Sequence, residues 1–335
     1  MRGATTHVII IDGTMASLKP GRITHAGTTA LLLREMGSGV SVYYEPGIQW
    51  SHWRRAGDVL FGRGINRQIR RAYGYLASRY RPGDQVFFFG YSRGAYAVRS
   101  LAGVIDLVGL LRAEHATHRN VRAAYRHYEC TPDSAAARSF SKQFCHDTID
   151  VELVGVWDTV KALGINLPVL WRLSAPRHAF HSHHLGRSVK RGLQALAYDE
   201  TRVAYTPVMW ETSPEWSGHL EQRWFPGTHG DVGGQISLRD SARPLANLSL
   251  VWMLSEAESF GLPLPENWQD RFPQDAAAPS IGTFSGFGRY FVTRRARIIG
   301  EDPSETLHPA VASQPRVTGW VPRWAARLMA RGDSV

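Results

Sequence analysis

The chain has 335 residues, of which 43% are hydrophobic and 20% are charged, values that are typical of globular domains and exclude wholesale disorder. Its 39 lysines and arginines against 29 aspartates and glutamates give a net charge of +10. This excess favours anionic partners such as lipid headgroups, nucleic acid or phosphorylated substrates, although many basic proteins bind nothing with their surplus charge.

In chain order, the first part of the sequence alternates predicted strands and helices. Residues 7–11 are a short β-branched run stopped by an Asp-Gly pair, which predicts a buried strand that ends in a turn. Residues 39–44 predict a second strand, and apolar positions spaced by three and four predict a helix over 65–80. The apolar and aromatic residues 85–89 predict a central strand, and an Ala-, Leu- and Val-rich helix is expected over 95–111.

The later part of the sequence is less regular. Residues 112–147 are polar and basic with helical stretches, and a buried strand is predicted at 151–157. Residues 162–192 contain two prolines and four histidines, which indicates an insertion over the sheet edge. One strand is expected between 195 and 211, a short one at 222–225, and a helix over 245–260. Beyond that helix the chain is rich in Pro, Gly and Arg, and its periodicity is weak.

Strands that alternate with helices predict a three-layer α/β fold, with a mostly parallel central sheet and helices on both of its faces. We expect one domain over residues 1–312, in which 112–190 form a mostly helical, lid-like insertion that covers the site. A basic C-terminal tail would follow at 313–335.

The strongest chemical signal is the sequence Gly-Tyr-Ser-Arg-Gly at residues 90–94. It lies between the predicted central strand and the helix after it, which is the setting of a nucleophile elbow in an α/β hydrolase. Flanking glycines let neighbouring backbone come close, and the helix N-terminus offers N–H groups to a developing oxyanion. The pattern alone arises by chance, but in this setting it makes Ser92 the candidate nucleophile.

A serine nucleophile needs a base, and that base needs an orienting carboxylate. In α/β hydrolases the chain order is serine, acid, histidine. Asp158 directly follows the predicted strand at 151–157, and His229 follows a later strand in a glycine-rich turn, so both fit this order. Asp199 and Asp231 are alternatives for the acid.

The oxyanion of such a site is expected to bind the backbone N–H of Arg93, the residue after the candidate nucleophile. A second N–H would come from Gly13 or Thr14, in the loop after the first strand, and the sequence does not choose between them. Three further residues are expected to border the site: Asp12, Tyr91 and Asp231. The alternative role of Asp12 is that of a turn residue, and the alternative role of Asp231 is a hydrogen bond within its loop.

Other clusters are interpreted as structural. The histidines at 178, 181, 183 and 184 have no accompanying carboxylate, so a solvated loop is favoured over a metal site. A solvated surface is also expected for the arginines at 289, 294, 295 and 297. Core packing is expected for most of the tryptophans in loop-like surroundings, with an acyl pocket or membrane-facing rim as the alternative: Trp210, Trp216, Trp268, Trp320 and Trp324.

The two cysteines, Cys130 and Cys145, exclude a disulfide scaffold, and we expect both to be reduced thiols of a cytoplasmic protein. No apolar stretch approaches the ~20 residues that a membrane-spanning helix needs, and no secretory signal is evident. Export by a dedicated secretion system is left open by these observations.

Several sequence blocks occur in a characteristic order over residues 7–312. The most specific are Ser-Arg-Gly-Ala at 92–95, Trp-Asp-Thr-Val at 157–160 and His-Gly-Asp-Val-Gly-Gly at 229–234. Further blocks lie at 11–14, 43–47, 195–205, 248–254 and 307–309. Together they resemble the α/β-hydrolase domain family that includes the type VI secretion phospholipase effectors of bacteria.

The resemblance implies a serine hydrolase with Ser92 as nucleophile, Asp158 as acid and His229 as base. It also implies carboxylic-ester substrates, with phospholipids known for some members. Two positions depart from the family pattern, because Gly230 stands where a serine is usual and Gln235 replaces a third glycine. Neither change removes a catalytic atom.

We therefore expect a serine hydrolase that cleaves carboxylic esters, those of lipids or phospholipids above all, through an acyl-enzyme. No metal and no cofactor are expected. The expected partners are a small-molecule or lipid ester and, peripherally, an anionic membrane, with no nucleic acid and an open oligomeric state. The alternatives are a thioesterase or acyltransferase on the same triad, or a non-catalytic module that binds membrane or nucleic acid.

Overall fold

The computed structural model describes residues 3–48, 63–161, 184–284, 291 and 293–312. The strands in these ranges are β1 (Thr6–Ile11), β2 (Val40–Glu45), β3 (Gln85–Tyr91), β4 (Leu153–Trp157), β5 (Arg191–Ala197), β6 (His219–Phe225) and β7 (Glu305–Leu307). They form a seven-stranded sheet in the order β2-β1-β3-β4-β5-β6-β7, in which each pair of neighbours is parallel. The predicted parallel sheet is confirmed.

The helices of the described residues are α1 (His25–Glu35), α2 (Arg63–Ala77), α3 (Arg93–Val108), α4 (His118–Cys130), α5 (Ala135–Phe144), α6 (His229–Val232), α7 (Arg243–Ser259) and α8 (Pro309–Ala312). Helices α2 and α3 pack on one face of the sheet, and α1 and α7 pack on the other. This arrangement confirms the predicted three-layer α/β-hydrolase-like fold.

The strands at the centre of the sheet are apolar on both sides because helices cover both faces. In β1, Val8 and Ile10 face the core formed with α1 and α7, whereas Ile9 and Ile11 face the core formed with α2 and α3. All four side chains are fully buried. The continuous β-branched run that predicted a buried strand is therefore explained by its position between two helical layers.

The segment 112–190, predicted as an insertion over the site, contains two helices in its described part. Helix α4 packs on the outside of α2 and α3, as shown by Val121, Ala124 and Tyr125, which join the same core as α3, and α5 contacts α3 and α4. Residues 162–183 of the predicted insertion, with three of its four histidines, lie outside the described residues, as does the predicted tail at 313–335. The lid-like role stays a prediction.

Four elements of the described residues were missed by the sequence analysis: α1, α6, α8 and β7. Helix α1 begins at a Thr24 cap, whose hydroxyl accepts a hydrogen bond from the Gly27 N–H at 3.1 Å, and its polar first turn obscured the helical pattern. Strand β7 has three residues and exists through its pairing with β6. None of the helices in the described part of the chain combines the length and apolar character that a membrane crossing requires.

Candidate active site

Ser92 lies on a sharp turn between β3 and α3. Its backbone has φ 57° and ψ −120°, a conformation that costs energy for any residue with a side chain. A Cβ added to Gly94 would lie 2.1 Å from the carbonyl oxygen of Ile11, and one added to Gly90 would lie 2.7 Å from the Ala95 Cα. Both glycines of the motif are therefore required by the close approach of neighbouring backbone.

The three residues predicted as a triad come together in the structure. His229 Nε2 lies 2.9 Å from Ser92 Oγ, and His229 Nδ1 lies 2.6 Å from Asp158 Oδ2. Because the carboxylate only accepts, Nδ1 carries the proton and Nε2 is left to accept the serine hydroxyl. The three residues come from the ends of three different strands and are 6%, 0% and 4% exposed for Ser92, Asp158 and His229.

The alternative acids have other partners. Asp199 Oδ2 accepts the N–H of Gly227 at 2.7 Å. Asp231 caps α6, since its carboxylate accepts from the Thr228 N–H and hydroxyl, and it also binds the N–H of Ile281 at 3.0 Å. Asp231 thus forms hydrogen bonds within its own loop, which is the alternative role that the sequence analysis gave for this residue.

Arg297 was expected on a solvated surface, and that prediction was wrong. Its guanidinium binds both oxygens of Asp158, at 2.6 Å from Nη1 to Oδ1 and 2.9 Å from Nη2 to Oδ2. It also donates to the carbonyl oxygens of Ala197, at 2.8 Å, and Tyr205, at 2.6 Å. The run of arginines carried no signal that separates this buried residue from the exposed Arg295 beside it.

This contact with Arg297 favours the ionised form of Asp158. Burial alone would raise the pKa of Asp158, but the Arg297 cation and the hydrogen bond from His229 outweigh burial and hold that pKa well below its usual range. The carboxylate is therefore ionised at any pH at which the imidazole could act as a base.

A second buried pair holds the histidine backbone. Glu200 Oε2 accepts the N–H of His229 at 3.1 Å, and the same carboxylate binds the Arg202 guanidinium at 2.6 Å and 2.8 Å. Burial would raise the pKa of Glu200, but its hydrogen bonds from Arg202 lower it. Sequence analysis did not single out either residue, because the contact of Glu200 with His229 joins positions 29 residues apart in the chain.

Two tyrosine rings enclose the imidazole. Tyr91, which was predicted to border the site, stacks on His229 with ring centroids 4.9 Å apart, and Tyr205 lies 4.7 Å away. The Tyr91 hydroxyl donates to the His229 carbonyl at 3.2 Å. These contacts limit rotation of the ring and keep Nε2 aimed at the serine.

The loop after β1 passes beside Ser92. A Cβ added to Gly13 would lie 3.3 Å from the Ser92 Cβ, so this backbone passes directly beside the nucleophile position. The Gly13 N–H donates to Asp12 Oδ1 at 2.7 Å. Among the described residues, the N–H groups of Thr14 and Arg93 have no hydrogen-bond acceptor.

The other residues named from sequence lie away from this chain of contacts. Trp210 and Trp268 are buried in the two cores, while Trp320 and Trp324 lie outside the described residues. His184 is exposed, and the described ranges hold no group of three or more side chains that could bind a metal.

The arrangement agrees with the sequence comparisons. Residues 5–256 match the family described as "T6SS, Phospholipase effector Tle1-like, catalytic domain". The chain belongs to this family. The Tle1-like match ends before residue 297, so the arginine that binds Asp158 lies beyond the matched region.

The individual relatives of this Tle1-like chain match it at low sequence identity and over part of their length. A yeast protein, "Uncharacterized protein YEL023C" from Saccharomyces cerevisiae, is 30% identical over 185 residues, covering 47% of this chain and 27% of its own length. A crystal structure of an uncharacterized protein from Pseudomonas aeruginosa has a TM-score of 0.46 at 16% identity, covering 81% of this chain and 49% of that one. The Tle1 effector bound to the VgrG spike has a TM-score of 0.34 at 19% identity, covering 70% and 51%. The chain thus spans about a quarter to a half of these relatives.

Proposed function

We propose that the chain is a serine hydrolase that cleaves carboxylic esters, with acyl esters of lipids and phospholipids as its substrate class. The observation that carries the proposal is the continuous chain of contacts from Ser92 through His229 to Asp158, at 2.9 Å and 2.6 Å. Membership of a phospholipase effector family supports lipid esters as the substrates.

In the proposed reaction, Ser92 Oγ attacks the ester carbonyl carbon while His229 Nε2 takes the serine proton. The tetrahedral intermediate collapses, the bond to the leaving alcohol breaks, and His229 returns the proton to that alcohol. A water molecule then attacks the acyl-enzyme, passes its proton to His229 and releases the carboxylic acid and free Ser92. Asp158 holds the Nδ1–H and stabilises the imidazolium that forms in both halves.

The oxyanion would bind the N–H of Arg93 and the N–H of Thr14. Arg93 is the first residue of α3, where unpaired N–H groups and the helix dipole favour negative charge. Thr14 is favoured over Gly13 because the Gly13 N–H already donates to Asp12. Asp12 would then act as a positioning residue that fixes this loop.

Arg297 would act as a positioning residue behind the acid. A guanidinium that binds both carboxylate oxygens fixes the rotation of Asp158 as well as its charge. Oxygen Oδ2 is shared between Arg297 and His229, so the orientation of the carboxylate is passed on to the imidazole.

The direct test is covalent labelling with a fluorophosphonate probe, which reacts with activated serines. Wild type is expected to be labelled, and Ser92→Ala and His229→Ala are expected to lose the label. Ser38→Ala, which removes an exposed serine, is the matched control and should label like wild type. Labelling of Ser92→Ala, or none of wild type with detergent or vesicles present, would refute the proposal.

The substrate class is tested with a panel of a short-chain ester, a phospholipid in vesicles and an acyl thioester. Fatty acid release from the phospholipid, lost in Ser92→Ala, is the expected result. Hydrolysis of the short-chain ester alone would support esterase activity and rule out lipid esters as the substrate class. Hydrolysis of the thioester alone would rule out both esterase activity and lipid esters as substrates.

A further inference from the structure

A groove lined by arginines lies between α2 and α4, on the outer side of the helical layer. Its main part has a volume of about 610 Å³ and a shallower continuation has about 220 Å³. Five arginines line the two parts, and we refer to them as the arginine groove: Arg67, Arg70, Arg119, Arg122 and Arg126.

These positive charges are poorly compensated by the protein. Among the described residues, no carboxylate lies within ion-pair distance of Arg67, Arg119, Arg122 or Arg126. The carboxylate in the lining is Glu129, which accepts a hydrogen bond from Asn66 at 2.8 Å. The groove therefore carries a net positive charge.

The spacing of the arginines adds to this imbalance. Residues 119, 122 and 126 recur every three and four positions, so they occupy one face of α4. Like charges at this spacing weaken a helix, because they lie within reach of one another. An anion in the groove would remove that repulsion.

Size and chemistry together define the ligand. Guanidinium groups bind phosphate oxygens in pairs of hydrogen bonds, and they lose less hydration than ammonium groups on doing so. The volume lies within the range of pockets that hold one small molecule, which suits a headgroup-sized phosphate ester. The groove is confined to two helices, whereas a nucleic-acid backbone needs a longer basic track.

One wall of the groove is linked by packing contacts to the candidate active site. Its α2 wall starts beside residues 46–48, since Gln68 Nε2 donates to the Pro46 carbonyl at 3.0 Å. The next residue, Gly47, packs against the backbone of Gly13, the loop that borders Ser92. Helix α2, which forms one wall of the groove, is thus connected through residues 46–48 to the edge of the sheet that carries Ser92.

We propose that the arginine groove binds phosphate groups of anionic phospholipid headgroups, and so holds the chain on a bilayer with the catalytic edge beside it. Binding in this groove needs no turnover, so it stands or falls separately from the proposed hydrolase activity.

The test compares two triple variants of the whole chain by co-sedimentation with vesicles. One variant removes the α4 charges: Arg119→Gln, Arg122→Gln and Arg126→Gln. The matched control removes three exposed arginines elsewhere: Arg81→Gln, Arg187→Gln and Arg239→Gln. Both lower the net charge equally, and unfolding curves establish that both are folded.

Wild type is expected to sediment with vesicles that contain phosphatidylglycerol and not with pure phosphatidylcholine. The groove variant should lose this binding by roughly tenfold or more, while the control keeps it within a factor of about two. Equal losses in the two variants would overturn the proposal, since the groove would then add nothing to general attraction.

Two further arms separate the source of the phosphate. Inorganic phosphate and glycerol phosphate are added at an ionic strength matched with chloride, and competition beyond that of chloride supports a phosphate-binding groove. Binding of these soluble anions without any vesicle binding would overturn the lipid assignment. Binding of an oligonucleotide that depends on the groove, again without vesicle binding, would do the same.

Hydrolysis of a soluble short-chain ester is measured on the same variants. It should be unchanged in the groove variant, whereas hydrolysis of anionic vesicles should fall with binding. A wild type that binds vesicles through the groove but hydrolyses no ester would refute the proposed function and leave the groove assignment intact.

Discussion

Asp12 and Asp158 occupy equivalent places at the ends of β1 and β4, yet burial affects the two carboxyls differently. Asp12 is 2% exposed and Asp158 is fully buried. Burial raises the pKa of Asp12 to about 6 despite hydrogen bonds from Tyr44, Thr24 and Gly13. For Asp158, burial is outweighed by Arg297 and His229, and the pKa falls well below its usual range.

At Asp12, hydrogen bonds from neutral groups do not outweigh burial, whereas at Asp158 an adjacent cation and His229 do. Asp12 accepts the Gly13 N–H at 2.7 Å, the Thr24 hydroxyl at 2.7 Å and the Tyr44 hydroxyl at 2.6 Å. Among the described residues, no cation lies within ion-pair distance of it. Of these two carboxyls, Asp158 is the one whose ionised form is favoured by its surroundings.

The largest expected effect is that of Arg297→Gln, which leaves a buried carboxylate without its cation. Removing one partner of a buried ion pair costs about 3 kcal/mol, so we expect a loss of that order in unfolding free energy at neutral pH, measured by urea denaturation. If the proposed function holds, kcat/KM should fall by about 10- to 100-fold, because the carboxylate loses its fixed orientation. Arg295→Gln, at an exposed neighbour, is the control and should behave like wild type.

Two readouts separate positioning from simple destabilisation in Arg297→Gln. The pKa of Asp158 is depressed in the fold, so its stabilising contribution is present above about pH 4 and is lost as the pH falls. The difference in unfolding free energy between wild type and Arg297→Gln should therefore become smaller as the pH falls. The acid limb of kcat/KM should also move to higher pH, because the cation that lowers the pKa of Asp158 is gone. An acid limb of kcat/KM at the same pH as in wild type would contradict the positioning role of Arg297.

A smaller effect of opposite sign is expected for Asp12→Asn. The pKa of Asp12 is raised in the fold, so its ionised form costs stability, and that cost grows as the pH rises from about 4 to about 6. The shift corresponds to roughly 2–3 kcal/mol. Relative to wild type, Asp12→Asn should gain unfolding free energy over this pH range in urea denaturation. A difference that does not vary with pH would show that Asp12 does not titrate there.

The smallest effect is expected for Tyr44→Phe. The Tyr44 hydroxyl donates to Asp12 Oδ2, and this hydrogen bond lowers the pKa of Asp12. Loss of this hydrogen bond, worth about 1 kcal/mol, should raise the pKa of Asp12 by up to about one unit. The pH at which the unfolding free energy changes should rise with it. Tyr75→Phe, which removes a hydroxyl bonded to Ser41 rather than to Asp12, is the control and should leave the step in place.

The turn at Ser92 could be predicted because its geometry is local. A buried strand, two glycines and a helix lie within one stretch of chain, and the elbow at Ser92 follows from their order. Asp158 and His229 could be placed for a similar reason, since Asp158 directly follows β4 and His229 lies a short turn after β6. In a parallel sheet such positions converge on one edge, so chain order was sufficient to propose their meeting.

The supporting residues could not be predicted because their roles depend on distant partners. Arg297 lies 139 positions from Asp158, and nothing in its neighbourhood separates it from the exposed Arg295. The three-residue β7 likewise exists only through its pairing with β6.

The amino-acid sequence by itself thus determined the alternation of strands and helices, the strained serine turn and the identity of the acid and base candidates. These follow from local sterics and hydrophobic periodicity, which act over a few residues. Only the tertiary structure decided which aspartate is ionised in acid, which N–H groups are left for an oxyanion, and which arginine is buried. Those outcomes depend on burial and charge, and both are properties of groups that the fold brings together from distant parts of the chain.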